Sequence, residues 1–217
     1  MDYQIISLNI GLPKQYKING KELTTGFIKS AVDTPIWLSK TGFEGDGQAD
    51  LKNHGGEDKA LLMYNHQHYS YWNKKYNRVF KMPSFGENIT IMGLGEQEVH
   101  LGDRFLLGDA VIQISQPRQP CYKIAEVHQI KDMPAIVTET GFTGYYFRVI
   151  HEGYVSPEDH LTLLEQDEHR VSVAYVHQAL FHDRTNLSKF KKILKVNSLA
   201  ETLRASIQKK VEKLERG

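Results

Sequence analysis

Over the first three quarters of the chain, apolar and polar positions alternate in short runs, and the period lengthens after Gln166. Gln4–Ile10 is a strand-like run closed by Gly11, and Gly26–Ala31 and Ile36–Lys40 have the same character. Val99–Leu101, Arg104–Leu107 and Ala110–Ser115 are short segments bounded by Gly102, Gly108 and Asp109. Gly-Asp turns between β-rich runs predict hairpins. Tyr145–Ile150 and Leu161–Leu164 continue the pattern. Many short strands punctuated by glycine predict a closed barrel or a sandwich. Two stretches depart from it. Asn65–Tyr76, rich in Tyr, His and Trp, reads as a helix that ends before the Asn77–Pro83 loop. Ile124–Thr138 has apolar residues at helical spacing and predicts two short helices around Pro134.

Beyond Gln166 the apolar spacing is helical throughout. Val171–His182 places Val173, Val176, His177 and Leu180 on one face. Asn186 can cap Leu187–Lys195, and Ser198 can cap Leu199–Leu214, whose Leu199, Leu203, Ile207, Val211 and Leu214 fall near heptad spacing. The chain therefore divides into a mainly β unit, 1–166, and a three-helix unit, 167–217. Apolar stripes on these helices need a partner, so the helical unit is expected to pack on the barrel or on a second copy in a homodimer.

Charge sharpens that division. The whole chain of 217 residues carries a formal net charge of +1. From Arg170 onward there are eleven Lys/Arg against four Asp/Glu, and the preceding part has sixteen against twenty-two. The basic helices could touch nucleic acid, but lysine faces on amphipathic helices are commonly just solvated, and nucleic acid is not an expected partner. No apolar run is long enough for a membrane span, and no signal peptide pattern opens the chain, so a cytoplasmic protein is expected. A single cysteine excludes an intramolecular disulfide framework and any metal site needing two or more cysteines.

That cysteine lies in Gln116-Pro117-Arg118-Gln119-Pro120-Cys121-Tyr122-Lys123, directly after a predicted strand. Two prolines stiffen the backbone there. Arg118 and Lys123 can bring positive charge to the sulfur and favour thiolate, the form that attacks electrophiles or binds soft metals. A lone cysteine can equally be an inert buried residue. A glycine-rich stretch, Gly42 to Asp50, is followed by His54-Gly55-Gly56 and Lys59. Such loops can form anion-binding nests, to which His54 and Lys59 would add donors and charge, or they can be plain solvated turns. Phe85-Gly86-Glu87-Asn88 is another compact turn that could bind a heterocycle edge or cap a strand. The spacing of His54, His66, His68 and His100 is a poor match to a metal cluster, because His66 and His68 fall in a segment that reads helical. No P-loop, complete dinucleotide fingerprint, haem motif or iron–sulfur motif is present in the sequence.

Taken together, these segments resemble the MOSC family of molybdenum-cofactor and sulfur-transfer proteins, in its bacterial YiiM type. The matching pieces run from Gly42–Asp46 with Gln48-Ala49, through His54-Gly55-Gly56, Phe85-Gly86-Glu87-Asn88 and Gly102-Asp103, to Gln116–Lys123, Thr140-Gly141, Gly144-Tyr145 and Gly153-Tyr154-Val155. The tail resembles the 3-alpha domain that follows MOSC in these proteins. The resemblance implies an α+β fold, a closed MOSC β-barrel followed by a small three-helix domain. It implies the molybdenum cofactor (molybdopterin) rather than pyridoxal phosphate, with Cys121 as molybdenum ligand, and reduction of small N-hydroxylated substrates. On that reading Arg118, Lys59, Gly55, Gly56, Asn88 and Lys123 are expected around the cofactor. Asp46 and His54 are expected on the substrate side, donating or orienting protons. Because the sequence offers no second redox group, an electron-donating redox protein is expected as partner. The other reading is a sulfur carrier, with Cys121 holding a persulfide and no redox turnover.

Overall fold

In the computed structural model, which describes residues 2–216 with the side chains of residues 52 and 53 excepted, the chain builds a closed barrel and a helical unit. The strands are β1 (Asp2–Ile10), β2 (Lys14–Ile18), β3 (Lys21–Thr25), β4 (Ser30–Ala31), β5 (Ile36–Ser39), β6 (Gly42–Phe43), β7 (Leu61–Asn65), β8 (Ile89–Ile91), β9 (Arg104–Leu107), β10 (Ala110–Pro117), β11 (Tyr145–His151), β12 (Gly153–Val155) and β13 (His160–Glu165). The α-helices are α1 (Leu51–His54), α2 (Gln67–Tyr76), α3 (Lys123–His128), α4 (Met133–Thr140), α5 (Val173–Phe181), α6 (Leu187–Leu194) and α7 (Glu201–Arg216). Seven strands close on themselves in the order β1-β8-β7-β11-β10-β9-β13, with β13 returning to β1. Closure removes the free sheet edges that an open sheet would expose. It depends on the length of β1, whose first residues pair with β13, whose middle pairs with β8, and whose last two pair with β4. All barrel pairings are antiparallel except β7–β8, which is parallel because α2 forms the crossover between them.

The interior explains which readings of the pattern hold. Leu61–Asn65 is buried at all five positions, so β7 shows no alternation and its apolar run merges in sequence with the helix that follows. The β2–β3 hairpin carries mostly exposed polar residues and offers no apolar alternation either. Of the expected strand Gly26–Ala31, only Ser30–Ala31 is extended in a sheet, because Gly26 is pressed against the next loop: a Cβ there would sit 2.1 Å from the Gly47 carbonyl oxygen. Val99–Leu101 contributes a single bridge, His100 to Ser172, rather than a strand. Two short helices do occupy the Ile124–Thr138 region, but Pro134 lies in the first turn of α4, where its missing N–H has no cost. The break falls earlier, where Gln129 adopts φ +58°.

The helical unit shares the barrel's core. Val173, Val176, Phe190, Ile193, Leu203 and Ile207 belong to one buried cluster with Ile5, Leu61, Phe105, Ile112 and Phe147. Ser172 and Asn186 cap α5 and α6, accepting from Tyr175 N and Lys189 N at 3.1 Å each. The expected cap Ser198 does not act on α7: its Oγ is buried without a partner among the described residues. Instead the first N–H of α7, Glu201 N, donates to Asp58 Oδ2 of the barrel unit at 3.0 Å. A second, mostly aromatic cluster packs Tyr64, Tyr69, Trp72, Phe80 and Phe85 against Ile124, Met133 and Val137 of α3 and α4. Fully buried Glu87 sits among these rings and accepts from Tyr69 Oη, from Phe85 N at 2.8 Å and from Thr90 Oγ1 at 3.1 Å. Burial pushes its carboxyl above the usual range. Its role is to hold the Phe85–Asn88 turn. Among the described residues no helix is long and apolar enough to cross a membrane.

Candidate functional site

Where β10 runs out at Pro117, the pairing with β11 continues for one more step, Arg118 N donating to Gly144 O at 3.0 Å. Gly144 has φ +72°, and a Cβ there would meet Met63 O at 2.6 Å, so only glycine lets this loop lie flat on β7. The chain then turns through Gln119–Tyr122 into α3, and the turn is held by Ile124 N and Ala125 N donating to Cys121 O (3.3 Å) and Tyr122 O (3.0 Å). This places Arg118, Cys121 and Lys123 on the wall of one cavity. The other walls come from the end of the β2–β3 hairpin (Thr25 to Phe27), Lys29, the Gly47–Ala49 loop, His54, Lys59, Leu62, Gly86, Asn88 and Tyr146.

The charge on these walls has one sign. Lys29, Lys59, Arg118 and Lys123 line the cavity, and among the described residues no carboxylate does. Lys29 is neutralised: its ammonium pairs with Asp46, their side chains 5% and 2% exposed. Arg118 is different. It is 6% exposed, yet among the described residues its guanidinium has no ion pair and no hydrogen bond. Its recorded contact is with the face of the Phe27 ring, 5.6 Å from the centroid. Lys123, 9% exposed, likewise has no acidic partner among the described residues. Together with Lys59 and Lys123, Arg118 gives the cavity wall a cationic character.

The site's ionisation follows from burial and from those cations. His54, at the end of α1, is held below the ordinary histidine range by burial first, then by Lys123, Arg118 and Lys59, with Asp50 opposing. Burial also lowers the Lys59 ammonium, against the pull of Asp58 and Asp50. Burial raises the Tyr146 phenol, with Arg118 opposing and Cys121 adding to the rise. His54 is thus a neutral imidazole at neutral pH, whereas Lys59 is a cation more willing than usual to release a proton.

The residues singled out from the sequence are distributed as follows. Cys121, Arg118, Lys59, Lys123, His54 and Asn88 come together on the cavity wall. Asn88 is also a structural stitch, its Oδ1 accepting from Leu62 N at 3.0 Å and its Nδ2 donating to Asp46 Oδ2 at 2.8 Å. Asp46 does not line the cavity. It accepts from Lys29 Nζ, from Gly11 N at 2.8 Å and from Asn88, so it positions cavity residues and is not placed as a proton donor. Gly55 and Gly56 do not line it either; Gly55 N donates to Leu51 O at 3.1 Å, and Gly56 O accepts from Lys59 N at 2.9 Å. The glycines shape the turn that delivers Lys59 rather than offering a nest. Sequence reasoning missed Lys29, Phe27 and Tyr146. The first two sit in a segment read as plain strand, and Tyr146 enters only through its pairing with Gln116. Among the described residues no group of three or more His, Cys, Asp or Glu is arranged to hold a metal ion, so a metal here would rest on an organic cofactor and the single thiol.

Two histidines outside the site make a pH dependence measurable. His128 Nε2 bonds Ser84 O at 2.6 Å and His177 Nε2 bonds Thr138 O at 2.8 Å. Burial lowers both from the ordinary value of 6.5. The unfolded chain takes up these protons first, so the stability they contribute is complete above pH 6.5 and is lost as pH falls through their lowered values. The expected result is a Tm that drops progressively on acidification below that point, by roughly 2–4 °C per kcal/mol for a chain of this size. An unchanged Tm across the same interval in thermal unfolding would show that both imidazoles charge freely in the folded state.

Comparison with known proteins agrees with this fold. Residues 50–162 match the MOSC domain, and residues 171–214 match the YiiM-like, 3-alpha helix domain. The chain is 44% identical to YflK of Bacillus subtilis over 212 residues, covering 98% of this chain and 96% of that protein. It is 31% identical over 165 residues to a protein of Gibberella moniliformis named Reductase, covering 74% of this chain and 29% of that protein. The crystal structure of YiiM from Geobacillus stearothermophilus superposes with a TM-score of 0.82 at 37% identity, covering 96% of this chain and 99% of that one.

Proposed function

Because the chain belongs to the MOSC domain family and carries the YiiM-like helical unit, we propose that its cationic cavity holds the molybdenum cofactor and that the protein reduces N-hydroxylated compounds with electrons from a separate redox protein. The observation that carries this reading is Arg118, 6% exposed and without an ion pair among the described residues, on the same wall as the only thiol of the chain. A guanidinium in that state asks for a phosphate or similar oxyanion, and a thiol beside it is a soft donor suited to a thiophilic metal. The residues therefore fit a phosphate-bearing pterin whose metal takes one protein ligand. The name of the fungal relative supports assignment to the oxidoreductases.

When bound, the cofactor would supply a two-electron centre for cleaving an N–O bond. In the net reaction, R–NH–OH takes two electrons and two protons to give R–NH₂ and water. This chain's own residues do the rest. Arg118 and Lys123 bind the anionic end of the cofactor. Lys59, acidified by burial, is the better proton donor at neutral pH, and His54, kept neutral by burial and then by the surrounding cations, relays or orients the proton rather than holding it. Asp46 keeps Lys29 and Asn88 in place. The electrons come from outside because one cysteine makes neither a dithiol nor a cluster.

The test is turnover of an amidoxime and an N-hydroxylated nucleobase by cofactor-loaded protein. Reduced methyl viologen should drive conversion, and NADH alone should not until a redox-protein fraction is added. If viologen drives no conversion of either compound, the reductase reading fails, and a sulfane-sulfur assay on Cys121 then decides for or against a persulfide carrier.

A further inference from the structure

The cavity does not end at Cys121. It opens into a groove that shares His54, Lys59, Cys121 and Tyr146 with it. One wall of that groove belongs to the helical unit: Thr202, Leu203 and Ser206, from the first turns of α7. We propose that this face of α7 is the specificity wall of the substrate groove, and that the hydroxyls of Thr202 and Ser206 meet the hydrogen-bonding edge of a flat heterocycle whose N-hydroxy group is presented at Cys121. The inference rests on the reductase reading for its choice of substrate class.

Three observations support it. First, α7 is pinned to the site by its N-terminal end. Glu201 N donates to Asp58 Oδ2 at 3.0 Å and Ala200 N donates to Ser115 O at 3.1 Å. Asp58 is the neighbour of Lys59 in sequence, its Oδ1 accepts from Arg148 Nε at 2.8 Å, and its carbonyl accepts from Ser115 Oγ at 2.6 Å. The helix wall, the lysine and β10 are thereby fixed as one frame. Second, Thr202 and Ser206 stand four apart, on one helix face, while Leu203 between them is buried and anchors the turn in the core. Both residues are exposed, and among the described residues neither side-chain hydroxyl has a protein hydrogen bond. Third, the remaining walls suit a planar ring. Tyr122, 63% exposed, and Tyr146 bring aromatic surface, and Pro117 and Pro120 keep their loop stiff. Polar groups converge on the same groove, Asp50, His54, Lys59, Gln116 and Gln119 facing it beside the two hydroxyls, so it can fix the orientation of a ring that carries hydrogen-bonding groups.

The experiment places bulk on the wall and reads two independent quantities. Ser206→Trp is compared with wild type and with Ser206→Ala, which keeps the helix. In the full-length chain without cofactor, Cys121 is the only thiol, so its labelling rate reports the groove directly. Ser206→Trp should slow labelling by a large aromatic disulfide about tenfold and leave labelling by methyl methanethiosulfonate within about twofold, as expected of a steric wall. In cofactor-loaded protein, Ser206→Trp should lower kcat/KM for an N-hydroxylated nucleobase about tenfold relative to a small aliphatic amidoxime, with molybdenum content unchanged. Equal labelling of all variants by both reagents, or a parallel change for both substrates, would overturn the proposal. If wild type turns over neither substrate but the labelling contrast appears, the wall stands and only the reductase reading fails.

Discussion

Cys121→Ala is expected to abolish molybdenum retention in protein made in a host able to build the cofactor, while leaving the fold intact. Loss of an outer-shell partner already costs about 10–100-fold in metal affinity, so loss of the ligand itself should cost more. Metal content should fall from near stoichiometric to background, and reductase activity should fall with it. The fold should survive because Cys121 is only partly buried, on a turn at the cavity wall, and its removal opens no enclosed void in the core. Elemental analysis, pterin fluorescence and thermal unfolding on the same samples decide the matter. Full metal content in the variant would remove the thiol as ligand while keeping the cofactor. No metal in either protein would instead favour a persulfide on Cys121. Because the chain has one cysteine, no second thiol can blur either outcome.

Arg118→Met should separate stability from binding by moving them in opposite directions. In the cofactor-free protein the guanidinium is buried with no anionic partner among the described residues. Replacing such a charge by an apolar side chain of similar length is commonly neutral or stabilising by about 1–4 kcal/mol. The contact with Phe27 that would be lost is worth about 0.5–2 kcal/mol. The burial term is the larger, so urea unfolding of the cofactor-free variant should show equal or greater stability than wild type. Cofactor retention should fall at least about tenfold, the loss expected when one charge-assisted bidentate contact to a phosphate disappears. Lysine at this position should restore only part of the binding, because a point charge cannot reproduce the planar fork. A variant that is less stable without cofactor yet retains it fully would make Arg118 a packing residue. The cavity would then need another explanation for its charge.

Both predictions begin from a segment that sequence alone made conspicuous. A lone cysteine bracketed by two prolines and two cations, just after a strand, is rare enough to draw attention without any structure. The barrel was legible for a related reason. Strands with one buried face alternate, and β9 and β11 kept that alternation well enough to read, while β10, buried almost throughout, was marked by the Gly-Asp turn before it. The helical tail was legible because Val173, Val176, Phe190, Ile193, Leu203 and Ile207 follow helical spacing. Asn186 marked the start of α6, whereas the cap Ser172 of α5 emerged only from the structure. What failed were elements whose burial is uniform or absent. Strand β7 is buried on both faces, and the β2–β3 hairpin is buried on neither, so neither carries a period.

The site divides along the same line. Sequence by itself determined the chemistry available: one thiol, a set of cations close to it in the chain, glycines where the backbone must turn, and too few soft ligands for a metal site made of protein alone. Only the tertiary structure decided which of these groups meet. It took Asp46, expected on the substrate side to donate or orient protons, off the cavity wall and made it the clamp on Lys29. It withdrew the Gly55 N–H into a helix end, and brought in Tyr146 from a strand 25 residues beyond the cysteine. It also set the end of α7 against a groove assembled from the barrel. The physical reason is that residue type is local, whereas pairing and burial are not. Whether a charge is neutralised depends on which strand closes beside it, and no spacing along the chain records that.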